Sequence, residues 1–219
     1  MSTGTPGTDE EALFALLRER RSVRSFKADA VPRELLEKVL DAAVLAPSAS
    51  NKQPWRFFVM EDRAKIRALA AEVRAEKERI GGHIAAEFAP SFLSYGDYFT
   101  RFEDAPVVIA PAARPLAVLS NLVDHALDPE TRAAISRMEE ESGLIGTSLA
   151  LGNLLLAAHA TGLGASAMTG PLIARAQVTR AFGVPNGWSV VALCALGYPS
   201  EVPTATERKD AKSVTRYVK

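Results

Sequence analysis

Residues 46–57 read Ala46-Pro47-Ser48-Ala49-Ser50-Asn51-Lys52-Gln53-Pro54-Trp55-Arg56-Phe57. The two prolines bound a polar loop, because proline cannot continue a helix or a central strand. The next residues, Trp55 to Met60, are aromatic and apolar, which predicts a strand. The loop carries hydroxyls and carboxamides, which both donate and accept hydrogen bonds. Such groups suit the edge of a heterocycle or a polyol chain, although the same residue types also form ordinary turns.

Upstream of this loop, the segment Arg20-Arg21-Ser22-Val23-Arg24-Ser25-Phe26 places three arginines within five residues. Their guanidinium groups repel one another unless an anion or acidic partners lie among them, and a phosphate would suit all three. The alternative is a solvated helix end whose cations complement the helix dipole. Spacing alone leaves both interpretations open.

Helix and strand signals alternate along the rest of the chain. Capping patterns predict helices from Thr8 and from Val31-Pro32-Arg33-Glu34 to about Ala46. Periodicity and composition predict further elements: helices over 62–87, 143–160 and 172–182, and strands over 105–110, 165–169 and 188–198. The aromatic-rich region 88–102 has no clear pattern. Without internal repeats or a linker, this order predicts one layered α/β or α+β domain over residues 12–219 after a loose tail at 1–11.

Bulk composition is typical of a globular enzyme. Lys plus Arg and Asp plus Glu both number 26 among 219 residues, and 47% of the chain is hydrophobic. A neutral balance argues against a nucleic-acid-binding protein. The single cysteine, Cys194, lies in an apolar run, which predicts a buried and inert thiol in a reducing cytoplasm. The N-terminus lacks the pattern of a signal peptide.

Residues 142–174 contain no Asp, Glu, Lys or Arg and are long enough to span a membrane. Gly162, Gly164, Asn153 and His159 interrupt the stretch, and basic or aromatic anchors do not flank it. A buried helix, a turn and a strand explain it better.

The same region contains Gly162-Leu163-Gly164-Ala165-Ser166-Ala167, which matches the dinucleotide pattern G-x-G-x-x-A. In a dinucleotide-binding site these glycines follow a strand and begin a helix. Here a helix precedes the glycines, so we expect them to form a helix C-cap.

Other catalytic signatures are missing from the sequence. It has no phosphate-binding P-loop and no nucleophile elbow, and its three histidines have no metal-ligand spacing. These observations argue against metal-dependent and hydrolytic chemistry.

The arginine segment and the polar loop together resemble the opening of the nitroreductase superfamily. The resemblance continues through Asp104 to Ile109, Leu154 to Gly164, Phe182-Gly183-Val184-Pro185 and Ala195 to Pro199. It implies an α+β nitroreductase-like fold, with a central, mostly antiparallel sheet flanked by helices. It also implies a homodimer with FMN at the subunit interface and a C-terminal tail that extends onto the partner.

The same resemblance implies a set of FMN-binding residues. Arg20, Arg21 and Ser22 would hold the phosphate and ribityl chain, with Arg24 at the pyrimidine edge. Pro47, Ser48, Ala49, Asn51 and Gln53 would reach the flavin held mainly by the partner. Thr169 and Gly170 would lie near flavin N5, and Arg101 would be a second cation near N1 and O2. Lys209 and Lys212 are candidates for closing over the phosphate.

The implied activity is ping-pong electron transfer from NADPH or NADH to a nitroaromatic, quinone or enone in a cytoplasmic enzyme, without nucleic acid or membrane. No side-chain acid or base is required, and the 88–102 region would form a lid. The alternatives are a specialised flavin enzyme of the same fold, of the reductive dehalogenase or flavin-cleaving type, or a non-catalytic flavin-binding sensor. A DNA-binding protein would need a basic face.

Overall fold

The computed structural model describes residues 8–201 and 203–218. Its α-helices are α1 (Thr8–Glu19), α2 (Arg33–Val44), α3 (Arg63–Gly81), α4 (Ala89–Gly96), α5 (Pro129–Ala160), α6 (Arg175–Ala181) and α7 (Ala211–Val214). Its strands are β1 (Trp55–Met60), β2 (Val107–Ala113), β3 (Gly164–Met168), β4 (Ser189–Val190) and β5 (Leu193–Gly197). Short 3-10 helices cover Ala49–Asn51, Asp97–Thr100 and Gly170–Ala174.

The strands form one antiparallel sheet in the order β1-β2-β5-β3, and β4 also pairs with β2. The predicted α+β class is therefore confirmed. The single strand predicted over 188–198 is divided, because β4 and β5 pair with successive parts of β2. Between them, the Val191 N–H donates to the Pro111 carbonyl at 2.9 Å. This break is a local irregularity in an otherwise continuous edge of β2.

Helices cover both faces of the sheet. One core packs α3, α6 and the residues before β2 against Val108, Ala110 and Leu193. The other packs α2 and α5 against Val107, Ile109 and Cys194. Every residue of β2 is buried. Burial on both faces explains why the sequence of this strand is continuously apolar instead of alternating.

Helix α5 begins much earlier than the predicted Gly143. Asp128 caps its first turn by accepting from the Thr131 N–H at 2.9 Å, and Pro129 follows at the first helical position. By length and composition alone α5 could cross a membrane. Its residues Ala150, Leu154 and Ala158 are buried, however, and Asn153 donates to the Ala42 carbonyl of α2 at 3.3 Å. The apolar stretch thus forms the predicted helix, turn and strand, although the helix is buried on one side only.

The turn after α5 is a helix C-cap, as predicted. Gly162 has a φ of +79°, a conformation that glycine adopts without strain. The Leu163 N–H donates to the Ala158 carbonyl at 2.8 Å, and the Gly162 N–H donates to the His159 carbonyl at 3.1 Å. This pair of hydrogen bonds is the Schellman motif. The glycines end a helix and open β3, which excludes the dinucleotide-binding geometry.

Other boundaries differ in detail from the predictions. Helix α1 starts at Thr8, so residues 8–11 of the expected tail are helical, and residues 1–7 lie outside the described part of the chain. Helix α2 ends at Val44, two residues before the expected Ala46. The unassigned region 88–102 folds into α4 and the 3-10 helix that follows it.

Candidate functional site

The arginine segment lies along the free edge of β3. Ser22 forms a parallel bridge with Ala165, and the Val23 N–H donates to the Ala165 carbonyl at 3.1 Å. The Val23 side chain lies only 2.7 Å from where a Cβ would stand on Gly164. Glycine at position 164 therefore allows the close approach. At its other end, the segment is fixed by the Lys27 N–H, which donates to the Tyr198 carbonyl at 2.8 Å.

A cationic cavity of about 520 Å³ opens beside this segment. Five arginines line it, and none of its lining residues is acidic: the arginines are Arg18, Arg20, Arg21, Arg24 and Arg208, with Ser22 beside them. Like charges in such density are stabilised by an anion with several acceptor oxygens, as in a phosphate. The structure thus brings together the four residues predicted from the segment 20–24.

Arg21 also contributes to the helix end that precedes it. Its Nη1 donates to the carbonyls of Arg18 at 2.6 Å and Arg20 at 3.0 Å. These bonds satisfy carbonyls at the C-terminus of α1, where a cation also complements the helix dipole. These bonds support the interpretation of the segment as a helix end, and the phosphate interpretation stays a prediction for a cavity that Arg21 also lines.

The C-terminal cation of this cavity is Arg208, which the sequence analysis missed. Its Nη1 donates to Thr206 Oγ1 at 2.6 Å and to the Glu207 carbonyl at 3.3 Å. Lys209 and Lys212, the residues suggested instead, are absent from the residues that line the cavity. Lys212 lies in α7, where its backbone N–H donates to the capping Asp210 at 2.8 Å. The basic tail therefore does reach the cavity, but sequence spacing could not show which of its cations lines it.

A second cavity, of about 330 Å³, lies farther along β3. It is lined by Arg24, Tyr95, Tyr98, Phe99 and Ala167 to Gly170. Arg24 lines both cavities and therefore joins them. Thr169 and Gly170, predicted as site residues, belong to this second cavity. An arginine-lined cavity and an aromatic-walled cavity thus adjoin along one strand edge.

Arg101 and Arg24 both approach the ring of Tyr98. The guanidinium carbons of both residues lie 5.7 Å from the centroid of the Tyr98 ring, within range of a cation–π contact. The surrounding segment is tied to α3 by ion pairs. Lys77 binds Asp97 at 2.9 Å, and Arg74 binds Glu103 at 2.7 Å. These contacts hold the turn that carries Tyr98 against the body of the protein.

The polar loop at 47–53 is strained and exposed. Ser50, Asn51 and Gln53 have φ values of 49°, 51° and 47°, which only glycine adopts freely. The Ser48 hydroxyl oxygen accepts from the Gln53 N–H at 2.9 Å, and the Asn51 carboxamide oxygen accepts from Gln53 Nε2 at 3.3 Å. Pro47, Ala49, Asn51 and Gln53 are all exposed. Backbone strain of this kind clusters at functional sites.

The structure does not bring this loop to the arginine segment within one chain. The loop leads into β1 at Trp55, which pairs with Ala113 at one end of β2. Ala165, which holds Ser22, pairs with Leu196, which pairs with Val107 at the other end of β2. The two segments lie at diagonally opposite corners of the sheet, separated by four strand spacings, roughly 19 Å, and by about 20 Å along the strands.

The thiol of Cys194 lies in the core, away from both cavities. Burial raises the pKa of this fully buried thiol to about 12. The predicted inert, buried cysteine is confirmed.

Comparison with known proteins adds to this geometry. A family model described as the nitroreductase family matches residues 17–198. The chain belongs to the nitroreductase family. A family relative named NADH dehydrogenase from Thermus thermophilus is 35% identical over 196 residues, which is 84% of each chain. An iodotyrosine deiodinase from Haliscomenobacter hydrossis is 31% identical, covering 92% of this chain and 86% of that protein.

A nitroreductase-family structure with bound FMN, from Desulfitobacterium hafniense, matches the fold with a TM-score of 0.68. It is 22% identical and covers 94% of this chain and 97% of the other. The relatives are oxidoreductases whose names cover more than one reaction. Family membership confirms the predicted resemblance and fold.

Proposed function

We propose that this protein is an FMN-dependent oxidoreductase that takes electrons from NADPH or NADH and passes them to a small oxidised acceptor, such as a nitroaromatic, quinone or enone. The observation that carries the proposal is the position of Arg24, which joins an arginine-lined cavity to an aromatic-walled one along β3. FMN has the matching shape, with a phosphate at one end and a flat ring at the other. Arginine side chains and Ser22 supply hydrogen-bond donors for the phosphate end, and Arg24 supplies donors for the ring end.

In this proposal, each part of the site has a separate role. Arg20, Arg21, Ser22 and Arg208 hold the phosphate and ribityl chain, and Thr169 with Gly170 borders the ring near N5. FMN, when bound, supplies the hydride and electron chemistry. Arg24, with Arg101 at the same Tyr98 ring, would offset negative charge on the reduced cofactor. The protein orients the ring and needs no side-chain acid or base for this step.

The partner subunit is proposed to complete the site as a homodimer. The loop with Pro47, Ser48, Ala49, Asn51 and Gln53 lies at the opposite corner of its own sheet and has exposed hydrogen-bonding groups. A second copy would bring this loop to the flavin. An apolar surface supports association, because Leu144, Ile145 and Leu149 of α5 are exposed although large and hydrophobic. The C-terminal tail is proposed to extend onto the partner.

The proposed location is the cytoplasm, with neither nucleic acid nor membrane as a partner. The single cysteine is buried, so the fold uses no disulfide among the described residues. Positive charge concentrates in the cavity beside the arginine segment. A small anionic cofactor accounts for this concentration without an extended basic face.

An anaerobic titration tests the proposal. FMN-loaded protein is titrated with NADPH and, separately, with NADH while the visible flavin band is followed. Bleaching by either nucleotide, and recovery on adding a nitroaromatic or quinone, is the expected result. Protein that binds FMN but stays oxidised with both nucleotides contradicts the proposal and favours the sensor or the specialised flavin enzyme.

A further inference from the structure

The cationic cavity has an apolar wall that a phosphate or a polyol chain does not need. Phe14 and Leu17 of α1 line the cavity, and they are 47% and 49% exposed. An exposed apolar surface that borders polar groups is typical of a ligand-binding groove or an interface. The wall therefore indicates that something besides a phosphate is bound beside the arginines.

Helix α1 places this wall next to a cation. Four residues that line the cavity follow the spacing i, i+3, i+4 and i+7: Phe14, Leu17, Arg18 and Arg21. On a helix this spacing puts side chains on one side. Helical geometry continues to the start of the arginine segment, since the Arg20 N–H donates to the Leu16 carbonyl at 3.0 Å. An aromatic ring and a guanidinium group thus lie side by side along α1.

The C-terminal tail forms the opposite wall of the cavity. Residues 203–206 and Arg208 line it from that side. The start of the tail is fixed to the arginine segment, because Ser25 Oγ donates to the Glu201 carboxylate at 2.9 Å and the Ser200 N–H donates to the Ser25 carbonyl at 3.0 Å. The cavity is therefore a cleft between α1 and the tail.

Size and charge both exceed what one phosphate requires. A volume of about 520 Å³ is within the range of pockets that enclose a whole small-molecule ligand. A phosphate monoester has three terminal oxygens, and one arginine in bidentate contact uses two of them, so five arginines cannot all bind a single phosphate. Among the described residues, the Arg18 side chain forms neither a hydrogen bond nor an ion pair. Arg18 is thus a cation beyond those assigned to the FMN phosphate.

We propose that the cleft contains an adenylate subsite, so that the chain binds FAD as well as FMN in one flavin site. FAD is FMN joined through its phosphate to AMP, so a second phosphate and an adenine continue outward from the phosphate end. Arg18 binds the second phosphate, and the adenine stacks on Phe14 beside Leu17. Aromatic side chains stack on any base, and arginine is well suited to phosphate oxygens. The inference rests on the proposed function and widens its cofactor class.

Competition between the two flavins tests the subsite without turnover. FMN-loaded protein is incubated with equal, excess concentrations of FMN and FAD until exchange is complete and is then separated from free flavin. The bound flavins are released by denaturation and quantified by chromatography. We expect FAD to make up at least about one quarter of the bound flavin, which corresponds to an affinity within about threefold of that for FMN. A smaller share overturns the inference.

Substitution of Phe14 locates the adenine. In Phe14→Ala the ratio of bound FAD to bound FMN should fall at least about threefold, because loss of an aromatic stacking partner weakens base binding. The ratio is insensitive to a general loss of flavin affinity, which would affect both cofactors. Leu13→Ala is the matched control, since Leu13 is 51% exposed on the same helix but does not line the cavity, and its ratio should equal that of the wild type.

A fall of less than about threefold in Phe14→Ala, or an equal fall in Leu13→Ala, overturns the assignment of the adenine to this wall. If a second copy of the chain covers the wall instead, Phe14→Ala changes the oligomeric state and not the ratio. If Phe14→Ala does not fold, Arg18→Gln decides, because it should lower the same ratio at least about threefold. Failure of the proposed function is a separate result: protein that takes up FAD but is reduced by neither NADPH nor NADH retains the subsite. Protein that is reduced but excludes FAD retains the proposed function.

Discussion

The ring of Phe99 occupies the space that a side chain on Gly170 would need. Phe99 is buried, so its ring cannot move into solvent at low cost. This contact couples the 3-10 helix at Asp97–Thr100 to the turn that borders the proposed flavin ring. The identity of residue 170 therefore bears on both stability and cofactor binding.

Replacement of Gly170 by alanine should lower the stability of the protein and its affinity for FMN. Overpacking of a filled core site costs about 1–3 kcal/mol, and the displaced Phe99 would shift the wall of the second cavity. Urea unfolding and fluorescence titration with FMN measure the two effects. Gly82→Ala is the matched control, because a Cβ at position 82 would meet the Arg79 carbonyl oxygen at an ordinary 3.5 Å. Equal losses of stability and of FMN affinity in Gly170→Ala and Gly82→Ala would contradict the assigned role of Gly170.

Removal of a cavity arginine should weaken FMN binding. Arg20→Gln or Arg208→Gln removes a charged hydrogen-bond donor from the proposed phosphate site, which should raise the dissociation constant of FMN roughly tenfold or more. Isothermal titration calorimetry with FMN and with riboflavin, which lacks the phosphate, shows whether the lost affinity depends on the phosphate. The loss should be large for FMN and small for riboflavin.

Lys212→Gln serves as the control for that experiment, since Lys212 shares the basic tail with Arg208 but does not line the cavity. A Lys212 variant that loses as much affinity as the Arg208 variant would indicate that the tail acts through its overall charge.

Two damaged subunits should restore each other if the site is shared. Arg20→Gln damages the phosphate side, and Ser48→Ala removes the acceptor that closes the polar loop. In a hybrid dimer of the two variants, one FMN site contains both substitutions and the other FMN site contains neither. After free exchange of equal amounts, about one quarter of all sites should be restored, because half of the dimers are hybrids with one intact site each.

Flavin occupancy of the mixture, compared with each variant alone, measures this complementation. Mixed protein that binds no more FMN than the two variants do separately would mean that one chain supplies the whole site. A monomer that retains FMN at micromolar concentration would lead to the same conclusion.

Acid should weaken the attachment of residues 116–120 to α5. The buried Glu139 carboxylate accepts the N–H groups of Val118, Leu119 and Ser120 at 2.7, 2.6 and 3.1 Å. Hydrogen bonding by Ser120, followed by the backbone N–H groups of all three residues, lowers the pKa of Glu139 despite its burial. A lowered pKa means that this stabilisation is complete above the ordinary glutamate pKa and is lost as pH falls through the folded-state value.

The free energy of unfolding of the Glu139→Gln variant should therefore lie below that of the wild type at pH 7, and the gap should narrow as the pH falls below about 4.3, the ordinary glutamate value. Urea unfolding across this pH range provides the measurement. Glu140→Gln, at the exposed neighbouring position, is the matched control. A gap for Glu139→Gln that stays constant with pH would mean that the carboxylate charge does not hold the segment.

Several local features could be predicted from sequence because short-range physics decides them. Strand β1 has the predicted bounds, Trp55 to Met60, since the flanking polar and proline residues cannot extend it. The cap at Gly162 follows from the freedom of glycine at positive φ. The early start of α5 was also available, because Asp128, Pro129 and Glu130 form a helix-start pattern. The predicted start at Gly143 instead reflects the uncharged part of the helix.

The composition of the site depended on contacts between distant parts of the chain. Nothing local distinguishes Arg208 from Lys209, and only the path of the tail places Arg208 at the cavity. The convergence of Arg24 and Arg101 on Tyr98 likewise requires the sheet edge and the α3 ion pairs to be in place. The sequence by itself determined most of the helices and strands, the family and the types of side chain in the candidate site. The tertiary structure decided which cations meet and which loop is left facing outward, because these depend on strand order and register, and a local pattern contains neither.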